Sequence, residues 1–70
     1  MEQRTITAKV TFNIYKTHKS FQWTAGNAYT ATWQDGWIAL TSDTEVYWFG
    51  GSEKEHIYEN FIFWGGNENV

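Results

Sequence analysis

The residues able to do acid, base or metal chemistry are few and scattered. There are two histidines, His18 and His56. His56 and Glu59 stand three apart, so on a helical turn they would share a face. Two ligands on one turn do not make a metal site, and no third is marked. Ser20 and Ser42 sit in no nucleophile motif. Ser52-Glu53-Lys54-Glu55 matches a helix capping box, with Ser52 as N-cap and Glu55 at N3. The absence of Cys excludes a disulfide scaffold, a thiolate metal site and a thiol nucleophile. Gly50-Gly51 and Gly65-Gly66 are isolated pairs that suit turns rather than a phosphate-cradling loop. The expectation is a non-enzyme with no metal and no cofactor.

What remains is charge and aromatic surface. Aromatics make up 20% of the 70 residues, more than a core this small needs, although each buries ~150–250 Å² when used. The formal charge of −3 is unevenly spread. Up to Gln34, Arg4, Lys9, Lys16 and Lys19 outweigh Glu2, for +3; from Asp35 onward, seven carboxylates outweigh Lys54, for −6. An acidic half suits a partner with a basic surface, in the extreme a nucleic-acid-binding protein. The stretch from Tyr15 to Trp23 interleaves aromatics with Lys16, His18 and Lys19, as single-strand binders do. The overall charge opposes that reading, and Phe21 and Trp23 also suit a core.

The elements that must position these residues are strands. Thr5 to Tyr15 alternates strictly, with Ile6, Ala8, Val10, Phe12 and Ile14 on one face, which predicts one long strand. Lys16 to Ser20 is a polar break. Phe21 and Trp23 resume alternation before the turn at Ala25-Gly26-Asn27. Ala28 to Gln34 and Trp37 to Thr41 flank Asp35-Gly36, the preferred pair for a type I′ hairpin. That hairpin pairs Gln34 with Trp37 and Trp33 with Ile38, which turns Trp33, Ala31, Ile38 and Leu40 inward and Trp37 outward. After Ser42-Asp43-Thr44, a strand from Glu45 to Phe49 has two phases. A three-residue loop sends Val46 and Trp48 inward; a two-residue loop sends Tyr47 and Phe49 there. A helical turn over about Glu53 to Tyr58 precedes a last strand, Asn60 to Trp64. Residues 1–4 and 65–70 are expected to be mobile.

This order makes one all-β domain spanning 1–70, a five-stranded SH3-like small barrel with one short helical turn before the last strand. An OB-like barrel is the alternative. From Phe21 to Trp64 the chain carries Gly26-x-x-Tyr29, the Asp35-Gly36 hairpin, an apolar strand, a turn at Asp43, an aromatic strand, a capped turn and Phe61. In that pattern it resembles small barrel proteins encoded by phages and prophages. The resemblance implies a stoichiometric inhibitor of a host protein, acting in the host cytoplasm. No apolar run approaches the ~20 residues of a membrane span, and Met1-Glu2-Gln3-Arg4 does not open a signal peptide. The expected partner-binding face joins Trp37, Tyr47 and Phe49 to the carboxylates of Asp35, Asp43 and Glu45, because exposed aromatic patches mark interfaces. A single-stranded nucleic-acid module and a structural homo-oligomer subunit, with a homodimer seam over the aromatics, are the competing expectations.

Overall fold

The computed structural model describes residues 2–63. Its strands are β1 (Glu2–Ala8), β2 (Phe12–Lys16), β3 (Lys19–Trp23), β4 (Ala28–Gln34), β5 (Trp37–Thr41), β6 (Val46–Phe49) and β7 (Phe61–Phe63). A 3-10 turn, Gly51–Glu53, and a short helix α1, Lys54–Asn60, lie between β6 and β7. Five strands form an antiparallel sheet in the order β6-β5-β4-β1-β7, and β2 pairs only with β3. The fold is mostly β with one short helix, but among the described residues the strands do not close into a barrel. None of the described helices is long and apolar enough to cross a membrane.

The long first strand expected from Thr5 to Tyr15 is broken. At Ala8 the chain is clamped between two neighbours. Gly26 N–H donates to the Ala8 carbonyl at 2.8 Å, and Lys9 N–H to the Asn60 carbonyl at 2.8 Å. The chain then bends, leaving Val10 exposed, and returns as the β2–β3 hairpin. The physical reason is that a sheet with one apolar face needs a second layer to cover it. An eleven-residue strand would have left Ile6 and Ala8 facing water; folded back, Phe12 and Ile14 become partly buried against the same core. Residues 2–4, expected to be mobile, are held in β1 opposite Trp33, Thr32 and Ala31. Met1, Trp64 and residues 65–70 lie outside the described residues.

The hairpin turn of β2–β3 is Thr17-His18, with φ of 54° and 63°. Neither residue is the Gly or Asn that such a turn favours, so no turn signal marked it in the sequence. At Asp35-Gly36 the signal held: φ is 52° and 83°, and Gln34 pairs with Trp37 and Trp33 with Ile38 as expected.

The core centres on Trp23. Its indole is fully buried, stacks on Phe12 at 4.9 Å, and meets Phe49 at 5.6 Å. Its Nε1 donates to the Thr41 carbonyl at 2.8 Å, so the buried polar atom is satisfied. Ile6, Ala31, Ile38, Leu40 and Ile57 complete the interior. Trp33 points inward as expected but lies near the end of the sheet. It is only partly buried, against Phe63 at 6.0 Å.

The capping box does not form. Ser52 lies inside the 3-10 turn, and neither this turn nor α1 has a side-chain cap. Glu53, the residue that precedes α1, turns its carboxylate to Tyr47 and Lys16 rather than to the helix backbone.

Candidate functional site

The face opposite the core carries the candidate site. Alternation along the paired strands puts Gln3, Thr5 and Thr7 of β1 on it, with Ala28, Thr30, Thr32 and Gln34 of β4. Trp37, Ala39 and Thr41 of β5 follow, then Val46 and Trp48 of β6 and Ile62 of β7. None of these residues is charged. Near one margin Trp37 is 49% exposed, Trp48 48% and Val46 46%. An exposed apolar cluster of this size on a small domain is a feature of interfaces.

Trp37 is held flat. In the β5–β6 register the position opposite it is Gly50, just past the last paired residues Ile38 and Phe49. A Cβ built at Gly50 would stand only 2.6 Å from Trp37 Cε3 and 2.8 Å from Cη2. The indole therefore rests on bare backbone, and only glycine permits that approach. Trp48 lies opposite Ala39, a small neighbour.

The other residues expected on this face do not gather there. Tyr47 and Phe49 are core residues, 6% and 0% exposed. The turn explains it. Ser42 N–H donates to the Glu45 carbonyl at 3.2 Å, and Ser42 Oγ accepts from the N–H groups of Thr44 and Glu45. This closes the turn around Asp43-Thr44, the two-residue phase, and Leu40 then faces Tyr47. Val46 and Trp48 take the outer positions that Tyr47 and Phe49 were expected to fill.

The three carboxylates also part company. Asp35 stays at the hairpin tip, exposed, and makes no ion pair among the described residues. Asp43 is tied down. Its Oδ2 accepts from Thr24 Oγ1 and its Oδ1 from Tyr29 Oη, both at 2.6 Å, while Tyr29 Oη accepts from Thr24 N–H at 2.7 Å. The Thr24 hydroxyl, then the Tyr29 hydroxyl, hold the Asp43 carboxyl below the usual carboxylate range. Asp43 thus fastens β3 and β4 to the β5–β6 turn rather than rimming a surface. Glu45 pairs with Lys19 at 3.1 Å.

The basic stretch likewise serves the fold. Lys16 Nζ lies 3.1 Å from Glu53 Oε2 and donates to Tyr47 Oη at 3.2 Å. The Tyr47 hydroxyl, then Glu53, raise the Lys16 pKa above its ordinary value. Of the aromatics in this stretch, Phe21 and Trp23 are buried, leaving Tyr15 as the exposed ring. His18 and His56 are exposed, and among the described residues no three His, Asp or Glu side chains are grouped to hold a metal.

No protein-family model matches this chain, and no curated protein or solved structure matches it either.

Proposed function

We propose that this chain is a non-enzymatic protein-binding module whose contact surface is the uncharged outer face carrying Trp37, Trp48 and Val46. One observation carries the reading: three large apolar side chains lie about half exposed on a face whose described residues carry no formal charge. Indoles bury much area at little entropic cost, because they have only two side-chain torsions, and they dominate binding energies where they are desolvated. Charge would oppose desolvation, and none is present among the described residues of this face.

The strand order β6-β5-β4-β1-β7, the hairpin after β1 and the helical segment before β7 support the finer reading of an SH3-like small barrel. The resemblance to phage-encoded barrels adds the reading of a stoichiometric inhibitor of a host protein. A basic partner has less support than the charge distribution suggested, since Asp43 and Glu45 are already engaged.

A photo-crosslinking residue in place of Thr30, at the middle of the face, tests the proposal. Protein adducts are expected from that position and not from position 59 on α1. Equal adducts from both, or none from either, would refute it.

A further inference from the structure

We infer that Asp35-Gly36, the tip of the β4–β5 hairpin, is a site of backbone modification: the Asp35 carboxyl closes on the Gly36 nitrogen to a cyclic imide, and water reopens the ring to isoaspartate. The reaction needs no partner and no enzyme, and so goes beyond the protein-binding reading.

Ring closure requires a free carboxyl and, on its C-terminal side, an unhindered backbone N–H. The tip supplies both. Asp35 is exposed, and its carboxylate makes no hydrogen bond or ion pair among the described residues. In a two-residue loop the closing hydrogen bonds belong to the flanking residues, here Gln34 and Trp37. The Gly36 N–H is left over, with no acceptor among the described residues. Glycine puts no Cβ beside that nitrogen, and nothing lies within 4 Å of where one would stand. The other aspartate of the chain is the contrast. Asp43 is followed by Thr44, whose branched Cβ crowds the nitrogen. Its carboxylate accepts from Thr24 and Tyr29 at 2.6 Å, and the Thr44 N–H is given to Ser42 Oγ. One aspartate is open to ring closure and the other is held against it.

Water is the only co-reactant. The Gly36 nitrogen bonds to Asp35 Cγ, and the carboxyl hydroxyl leaves with the amide proton as water. The nitrogen must swing toward Cγ for this, and an exposed tip outside the core opens locally at little cost. Water added at the side-chain carbonyl restores aspartate. Added at the main-chain carbonyl, it leaves the chain running through Cγ, which is isoaspartate. The main chain is then one carbon longer at a turn whose two-residue length sets the register of β4 and β5. A type I′ loop has no place for the extra atom. The Gln34–Trp37 closure, the seat of Trp37 on Gly50 and the hydrogen bond from Lys54 Nζ to the Gly36 carbonyl, 3.0 Å, are lost together.

The test is incubation of the full chain in warm neutral buffer for weeks, folded and in urea, followed by labelling with an isoaspartyl methyltransferase and peptide mapping by mass spectrometry. Far-UV circular dichroism checks that the buffered samples are folded. In the folded chain isoaspartate is expected at position 35 and not at 43, with a peptide lighter by one water marking the imide. Asp35→Gly keeps a pair suited to the type I′ turn but has no carboxyl, and the label should be lost. Asp35→Asn also suits the turn and should react faster, releasing ammonia in place of water. The modified chain, isolated by reversed-phase chromatography and refolded, should show a lower urea midpoint than the parent. Isoaspartate at 35 that appears only in urea overturns the inference, because the turn would then protect the bond. Equal amounts at 35 and 43, or none at 35 in either solvent, overturn it too. An unchanged midpoint would refute the loss of the turn.

Discussion

Replacing Gly50 by Ala should destabilise the domain, although the substitution usually does the opposite. Gly50 has φ −132° and ψ 158°, an extended conformation that alanine adopts without strain. On backbone grounds alone, Gly→Ala at such a site stabilises by ~0.4–1 kcal/mol through the unfolded chain. Trp37 reverses the sign. The new Cβ would occupy space held by the indole, and the ring must swing into water. Trp37 is 49% exposed, so roughly half of its ~150–250 Å² is packed. At about 25 cal/mol per Å², losing some 100 Å² costs about 2.5 kcal/mol as an upper bound. The net expectation is a loss of about 1–2 kcal/mol after the backbone gain is subtracted. A double-mutant cycle with Trp37→Ala isolates the cause. With the indole already gone, Gly50→Ala should become neutral or stabilising. Urea denaturation followed by far-UV circular dichroism gives the four free energies. If Gly50→Ala costs as much without Trp37 as with it, the ring does not rest on that backbone, and the preorganised face has lost its support.

Three further outcomes follow from the same geometry. Trp23→Ala should cost ~3–5 kcal/mol, enough to unfold so small a domain, whereas Trp33→Ala, at a partly buried site, should cost clearly less; equal denaturation midpoints would contradict the core described. Thr17→Asn with His18→Gly should stabilise by about 1 kcal/mol, because both native residues have positive φ at a cost of ~1–2 kcal/mol each, partly offset by the added glycine entropy; a thermal melt showing no gain would refute it. The Asp43 carboxyl has its pKa lowered by folding, so its contribution is present above the ordinary carboxylate pKa and is lost as pH falls through the folded value. Asp43→Asn should therefore be less stable than the parent at neutral pH, with the gap closing in acid; a pH-independent gap would show that charge on Asp43 is irrelevant.

The parts of the fold legible in the sequence were those with a local signal. Asp35-Gly36 has one turn geometry open to it, and the two-residue count dictated every facing pair from Ala31 to Leu40. The β5–β6 turn had no such mark. Ser42, Asp43, Thr44 and Glu45 allow either loop length, and one residue of difference exchanges Tyr47 and Phe49 for Val46 and Trp48. Arbitration came from Ser42 Oγ and from Asp43, whose partners Thr24 and Tyr29 lie 19 and 14 residues away. Interactions over that separation leave no pattern in a window of ten residues. The Thr17-His18 turn was hidden for the opposite reason. Its backbone takes a conformation that its residue types disfavour, held by the β2–β3 ladder and by Lys16 and Lys19 on either side.

The charge pattern acquires a second meaning in the fold. The basic first half and acidic second half suggested a polarised surface aimed outward. In the fold, part of each half is turned toward the other. The β2–β3 hairpin lies against the β5–β6 region, and Lys19–Glu45 and Lys16–Glu53 join across 26 and 37 residues. Exposed pairs of this kind are worth ~0–1 kcal/mol each, so they do not hold the hairpin down; Trp23, Phe21 and Phe12 do that by burial. Their effect is on orientation. With Lys16 and Lys19 flanking the turn of a hairpin that faces Glu45 and Glu53, a slipped hairpin would leave four charges without partners. Charge segregated along the chain thus becomes charge paired in space, and among the described residues the outer face with Trp37, Trp48 and Val46 is left without charge.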